Sequence, residues 1–156
     1  MRRAQAAIEF MMTYGWAFMV VLVTIGALAY FGVLNPDRFV PDRCTFQQEI
    51  QCSDFQAAID GSDVTLRMFL QNNLGRTINV SSMEATAIDS SDVTNCVSVP
   101  LNIGAGQLQE FNCTFSNIAS SFPSGSKSKF EVEATYQEVG GRYDHIVTGD
   151  VLATIQ

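Results

Sequence analysis

The sequence predicts an α+β chain, a long N-terminal hydrophobic α-helix followed by an antiparallel β-sandwich domain. Three observations carry that expectation. From Phe10 to Leu34, 25 consecutive residues bear no charged side chain. Beyond Asp42 the apolar residues recur with period two, the mark of strands with one buried face. All four cysteines lie in this second part, as does nearly all the charge.

Residues 5 to 34 read as one helix without proline, and Pro36 marks the expected stop, because a proline drives the residue before it out of helical backbone. At 1.5 Å per residue, ~20 apolar residues cross a bilayer core of ~30 Å. The uncharged run exceeds that length. Arg2 and Arg3 precede it and Asp37-Arg38 follow it, so the positive-inside rule puts the N-terminus in the cytoplasm and the rest of the chain outside. Tyr14 and Trp16 suit the headgroup level, and small residues such as Gly15, Ala17, Gly26 and Ala27 permit close helix packing. Thr13 and Thr24 are expected to return their hydroxyls to carbonyls of the preceding turn.

After a linker over 35–42, residues 43–156 form the second domain. Val64, Leu66, Met68 and Leu70 alternate with Asp63, Thr65, Arg67 and Phe69. Phe130, Val132, Ala134 and Tyr136 alternate more cleanly with polar residues, and Val147, Gly149, Val151, Ala153 and Ile155 continue the pattern. Gly140-Gly141 reads as a two-residue hairpin turn, and Gly104, Gly106 and Ser124-Gly125 supply further turns. Short strands with regular turns predict an antiparallel sandwich, immunoglobulin-like, or a barrel, of roughly 110 residues.

Cys44, Cys52, Cys96 and Cys113 permit three pairings. The sequential one, Cys44–Cys52 and Cys96–Cys113, is preferred, in keeping with an oxidising compartment; the alternative is four buried thiols. Two sequons, at Asn79 and Asn112, lie on the same side of the membrane as the cysteines and are candidates for glycosylation.

The chain has 9 basic and 16 acidic residues, and setting aside Arg2, Arg3 and Glu9 leaves 7 and 15, a charge of −8 beyond the helix. No basic cluster is present to meet phosphates, so nucleic acid is excluded as a partner. His145 is the sole histidine and stands in a strand-like run without catalytic partners. Asp89-Ser-Ser-Asp92-Val-Thr-Asn95 spaces oxygen ligands as a Ca²⁺ loop does but lacks the glycine and terminal glutamate of an EF-hand, so it reads as a solvated turn. No metal or cofactor is expected. With no nucleophile–base set, zinc motif or phosphate loop, neither is an enzyme.

The informative stretch is Arg2-Arg3-Ala4-Gln5-Ala6-Ala7-Ile8-Glu9-Phe10, running straight into the apolar segment. A carboxylate in hydrocarbon costs several kcal/mol unless it is paired or protonated. An isolated helix could carry Glu9 near its start merely to complement the helix dipole. Cleavage between Ala4 and Gln5 would change its meaning. Gln5 would then hold a free ammonium one turn from Glu9. Between staggered copies, one subunit's Glu9 would neutralise its neighbour's ammonium and set the axial register, while the apolar surfaces supply most of the attraction.

The basic leader, Glu9 as fifth residue after that cut, and the run Ala-Ala-Ile-Glu-Phe-Met-Met-Thr-Tyr-Gly-Trp-Ala closely resemble archaeal type IV pilins with class III signal peptides. The resemblance covers roughly residues 1 to 34. It implies removal of leader 1–4 by a prepilin peptidase on the cytoplasmic side. It further implies extraction from the membrane by an ATP-driven assembly machine, and polymerisation of identical subunits into a surface filament for adhesion. In that family the filament core is bundled helices and the outer layer is β-rich domains. Ala4 departs from the glycine that many relatives carry before the cut. Competing readings are an archaeal swimming-filament subunit, an uncleaved, monomeric, membrane-anchored binding module and, weakest, an anchored exoenzyme.

Overall fold

The structure, a computed structural model, describes residues 2–32, 40–97, 99 and 101–156, with side chains in the first helix described from residue 8. The chain divides into two compact units, Met1–Pro41 and Asp42–Gln156.

The first unit contains α1, Arg2–Tyr30. The helix starts ahead of Gln5, since nothing in Arg2-Arg3-Ala4 breaks it, and it ends before Leu34. Its stop is Gly32, whose φ of 69° is left-handed backbone that glycine adopts without a side-chain clash. Phe31 N–H donates to the Ala27 carbonyl at 2.9 Å, and Gly32 N–H to the Ala29 carbonyl at 3.1 Å, tightening the last turn. The stop that the sequence predicts at Pro36 lies outside the described residues, as does the 35–39 part of the linker over 35–42.

The second unit is antiparallel β-structure: β1 (Arg43–Phe46), β2 (Ile50–Asp60), β3 (Asp63–Asn72), β4 (Ile78–Ala87), β5 (Asp92–Val97), β6 (Leu101–Ile103), β7 (Leu108–Phe115), β8 (Lys127–Glu138) and β9 (Asp144–Thr154). The strands follow one path, β1-β9-β8-β4-β5-β7-β3-β2, with β6 on the side of β4. The path turns back on itself. The Cys44–Cys52 disulfide joins β1 to β2, the two ends of the path. At the other end of β2, Ala57 bridges Ile155 in parallel, Ile59 N–H donates to the Gln156 carbonyl and Gln156 N–H to the Ala57 carbonyl, both at 3.0 Å. The sheet is therefore nearly a closed barrel, which leaves little edge for another chain to pair with.

The period-two runs do face inward as the sequence predicts. Val64, Leu66, Met68 and Leu70 are buried, and so are Phe130, Val132, Ala134 and Tyr136. The register sets Phe130 against Val151, Val132 against Gly149 and Ala134 against Val147. Phe115, Phe122 and Phe130 form the aromatic centre, with ring centroids 5.6 and 6.3 Å from Phe130. Each such ring, fully buried, contributes about 1.5–3 kcal/mol.

Gly149 interrupts the apolar stripe of β9 for a reason of space. A Cβ there would lie 2.5 Å from the Phe46 ring, so the aromatic of β1 occupies the volume that a side chain would need. Phe46 is also its register partner. One expectation needs correction. Gly140-Gly141 is not a two-residue turn: the β8–β9 ladder ends at Gln137–Asp144, and Glu138 to Tyr143 form a wider connection. Gly141 N–H donates to the Glu138 carbonyl at 2.7 Å, a tight turn nested inside that loop. The two-residue hairpin stands instead between β2 and β3, where Asp60 pairs with Asp63 around Gly61-Ser62.

Candidate functional site

The helix is the feature that a folded domain does not explain. Ile8–Tyr30 is long and apolar enough to cross a membrane. Its large side chains are exposed all round, from Ile8 at 61 % through Met12 at 80 % to Tyr30 at 87 %. A helix that is apolar on every face requires lipid or other helices around it. Aromatics crowd its early turns: Phe10 and Tyr14, four residues apart, have ring centroids 4.7 Å apart.

Glu9 sits at the head of this surface, exposed and without an ion-pair partner among the described residues. Gln5 lies one turn earlier on the same helical face, at the spacing that makes neighbours on a helix. The side chains of Ala4 and Gln5, the expected cleavage pair, are outside the described set. The polar side chains within the apolar run are satisfied locally. Thr13 Oγ1 donates to the Glu9 carbonyl at 2.8 Å and Thr24 Oγ1 to the Val20 carbonyl at 2.7 Å. They add no exposed hydrogen-bonding demand to a surface that must lie in hydrocarbon or against another helix. Glu9 is the group on that surface left to be answered from elsewhere.

In the second unit the cysteines are bonded in sequential pairs, Cys44–Cys52 and Cys96–Cys113. The second bond ties register partners on β5 and β7. The first anchors β1, the strand by which the chain enters the domain. Asp42, just ahead of β1, strengthens that anchor. Its carboxylate pairs with Lys127 at the start of β8 and accepts hydrogen bonds from Thr154 Oγ1 at 2.8 Å and Thr154 N–H at 3.3 Å. Burial pushes the Asp42 carboxyl upward, but the Lys127 and Thr154 hydrogen bonds together outweigh it and hold the pKa below 3.8.

The two sequons differ. Asn79 is half-buried on β4, and its Nδ2 donates to Asn102 Oδ1 at 2.8 Å, while Ser81 of the same sequon donates to the Thr135 carbonyl at 3.1 Å. Asn112 keeps its Oδ1 buried without a partner, and it lies in register between Arg67 of β3 and Val97 of β5. Both asparagines are half-buried. His145 is exposed and stacks on Tyr136 at 5.4 Å. Burial, reinforced by the charges of Glu49 and Glu138, raises the Tyr136 pKa and keeps the phenol neutral. Asp89 Oδ2 accepts from Ser128 Oγ at 2.7 Å, so that carboxylate serves the β4–β5 turn. Among the described residues no three His, Cys, Asp or Glu side chains converge as metal ligands.

Sequence reasoning missed Asn72, which is 1 % exposed. Its Nδ2 reaches the carbonyls of Arg76 at 2.7 Å, Ile103 at 3.0 Å and Gly104 at 3.2 Å, and its Oδ1 accepts from Leu74 N–H at 3.0 Å. One side chain thus joins the β3–β4 loop to the β6–β7 turn. An Asn-Asn pair at the end of an alternating strand was its only signal.

No protein-family model matches the chain, and no curated protein matches it. In solved structures it is similar to a Bordetella pertussis protein assigned as ApaA, at 12 % identity, over 73 % of this chain and 95 % of that one, with a TM-score of 0.45. It is also similar to a protein from Archaeoglobus fulgidus, at 13 % identity, over 74 % of this chain and 98 % of that one, with a TM-score of 0.37. Likenesses this distant carry no information on function.

Proposed function

We propose that this chain is the structural subunit of an extracellular type IV pilus-like filament, polymerising through α1 and serving surface contact rather than catalysis. The observation that supports it most is the exposed, uniformly apolar helix with one unanswered carboxylate at its head. After cleavage between Ala4 and Gln5 by a prepilin peptidase, the new ammonium of one copy is the counter-charge for Glu9 of the next. Neither a simple anchor nor an isolated helix needs that carboxylate at that place. Before assembly the helix rests in the membrane, and an ATP-driven machine then moves it into the filament. The two disulfides and the acidic, Ser/Thr/Asn-rich domain fit the cell exterior. We also read the curled sheet as the two-layered, immunoglobulin-like sandwich that the sequence predicts. What supports this reading is β5, which pairs with β4 along Asp92–Asn95 and with β7 through Cys96 and Val97, as a strand shared between two layers would.

Mass spectrometry of the chain recovered from its native cell surface tests the proposal. A mature N-terminus at Gln5 is expected. An intact N-terminus, with Arg2 and Arg3 retained, would reduce the helix to a plain anchor.

A further inference from the structure

Phe69 is the one large apolar residue that breaks the alternation of β3, and its surroundings give it a use. It points outward, half-buried, with Asp54 of β2 and Glu110 of β7 as its register partners on either side. Two residues earlier on the same strand and face stands Arg67, register partner of Gln56. With Gln156 these side chains line a groove of about 410 Å³, within the ~300–1,000 Å³ range of small-ligand sites.

Much of the hydrogen-bonding capacity in this groove is unspent. Among the described residues the Arg67 guanidinium and the Glu110 carboxylate have no side-chain partner. Asp54 uses Oδ1 on Phe55 N–H at 2.9 Å, which leaves Oδ2. Gln56 Nε2 donates to Gln156 Oε1 at 2.8 Å, which leaves three N–H donors and the Gln56 Oε1 acceptor of that amide pair uncommitted to each other.

We infer that this outer face of β2, β3 and β7 binds a pyranose unit of a neutral surface glycan, stacked on Phe69 and held by Asp54, Arg67 and Glu110. A sugar ring presents a C–H face that the negative π surface of a phenyl ring attracts. Its vicinal hydroxyls suit planar, two-pronged side chains such as carboxylate, amide and guanidinium. An extended peptide gains nothing here, because β3 is paired on both sides and offers no free backbone groups. Acidic sugars are disfavoured by charge: Asp54 and Glu110 outweigh Arg67 in a domain that is already acidic. The inference does not rest on polymerisation, since an anchored monomer would present the same face.

The test uses the intact chain held as a monomer in detergent micelles and followed by amide NMR. The probes are N,N′-diacetylchitobiose, lactose and digalacturonate. At least one neutral disaccharide should give saturable shifts at Asp54, Gln56, Arg67, Phe69 and Glu110, with a Kd of about 1–10 mM, as a shallow site allows. Phe69→Ala and a change at the exposed Arg67, Arg67→Ala, should each weaken binding about tenfold or more. The inference is overturned if neither neutral probe gives saturable shifts up to about 50 mM. It also fails if digalacturonate binds tighter than both, or if the shifts survive Arg67→Ala. Shifts on this face that follow protein concentration without sugar would assign it to contact between copies instead.

Discussion

Asn72 shows how much one amide can decide when it is buried. Its Nδ2 reaches three backbone carbonyls and its Oδ1 accepts one backbone N–H, tying the β3–β4 loop to the end of β6 and the turn after it. Asn72→Ala leaves those groups unpaired in the interior, and a loss of about 2–3 kcal/mol is expected in denaturant unfolding. Asp42 acts by charge. Because its pKa is lowered by Lys127 and Thr154, its stabilising effect is fully present above the unfolded-state value near 3.8. It fades as pH falls through the lower folded-state pKa. Wild-type protein should therefore lose stability over this acid range more steeply than Asp42→Asn, and melting temperatures measured from pH 6 downward, about four points, check it. Neither residue announces itself in the sequence. Asn72 closes a strand and Asp42 precedes one, places where the side chain's partner is chosen by the tertiary fold and not by periodicity.

At the scale of elements the sequence was far more legible. The alternation in β3, β8 and β9 gave the buried face residue by residue, because period two leaves one choice of orientation once the core side is known. Hydrocarbon length and the absence of charge gave α1 just as directly. What failed was local. A glycine in left-handed backbone ended the helix before the proline did, and the Gly140-Gly141 pair was absorbed into a wider loop because the β8–β9 ladder stops early. The disulfides bear on element-level stability in distinct ways. Cys44–Cys52 closes a separation of 8 residues and Cys96–Cys113 one of 17. Constraint of the unfolded chain gives about 2.5 and 3 kcal/mol respectively. Paired serine substitutions should lower unfolding free energy by these amounts. The Cys44/Cys52 double variant should also raise amide exchange in β1 selectively, as hydrogen exchange with mass spectrometry will show, because β1 is short and held otherwise by β9 and Asp42.

For the whole molecule, the proposed function divides labour between two units. The disulfide-stapled β-domain folds around its own core, and α1 carries the surface that must be covered by lipid or by other copies. On that view Glu9→Ala should leave leader removal and the melting of the β-domain unchanged yet abolish or sharply reduce filaments counted by electron microscopy. The motif that leads to this proposal was readable in residues 1 to 34 alone. The candidate sugar-binding face was not, since Asp54, Phe69 and Glu110 meet only through strand register. The measurement that tests the central claim most directly is cryo-electron microscopy of filaments sheared from cells that make this protein. The account predicts a core of bundled α1 helices in which each Glu9 carboxylate lies within ion-pair reach of the Gln5 ammonium on a neighbouring copy. Filaments whose cores seat Glu9 against no amine, or surfaces bearing only single, uncleaved, lipid-held copies, would contradict it.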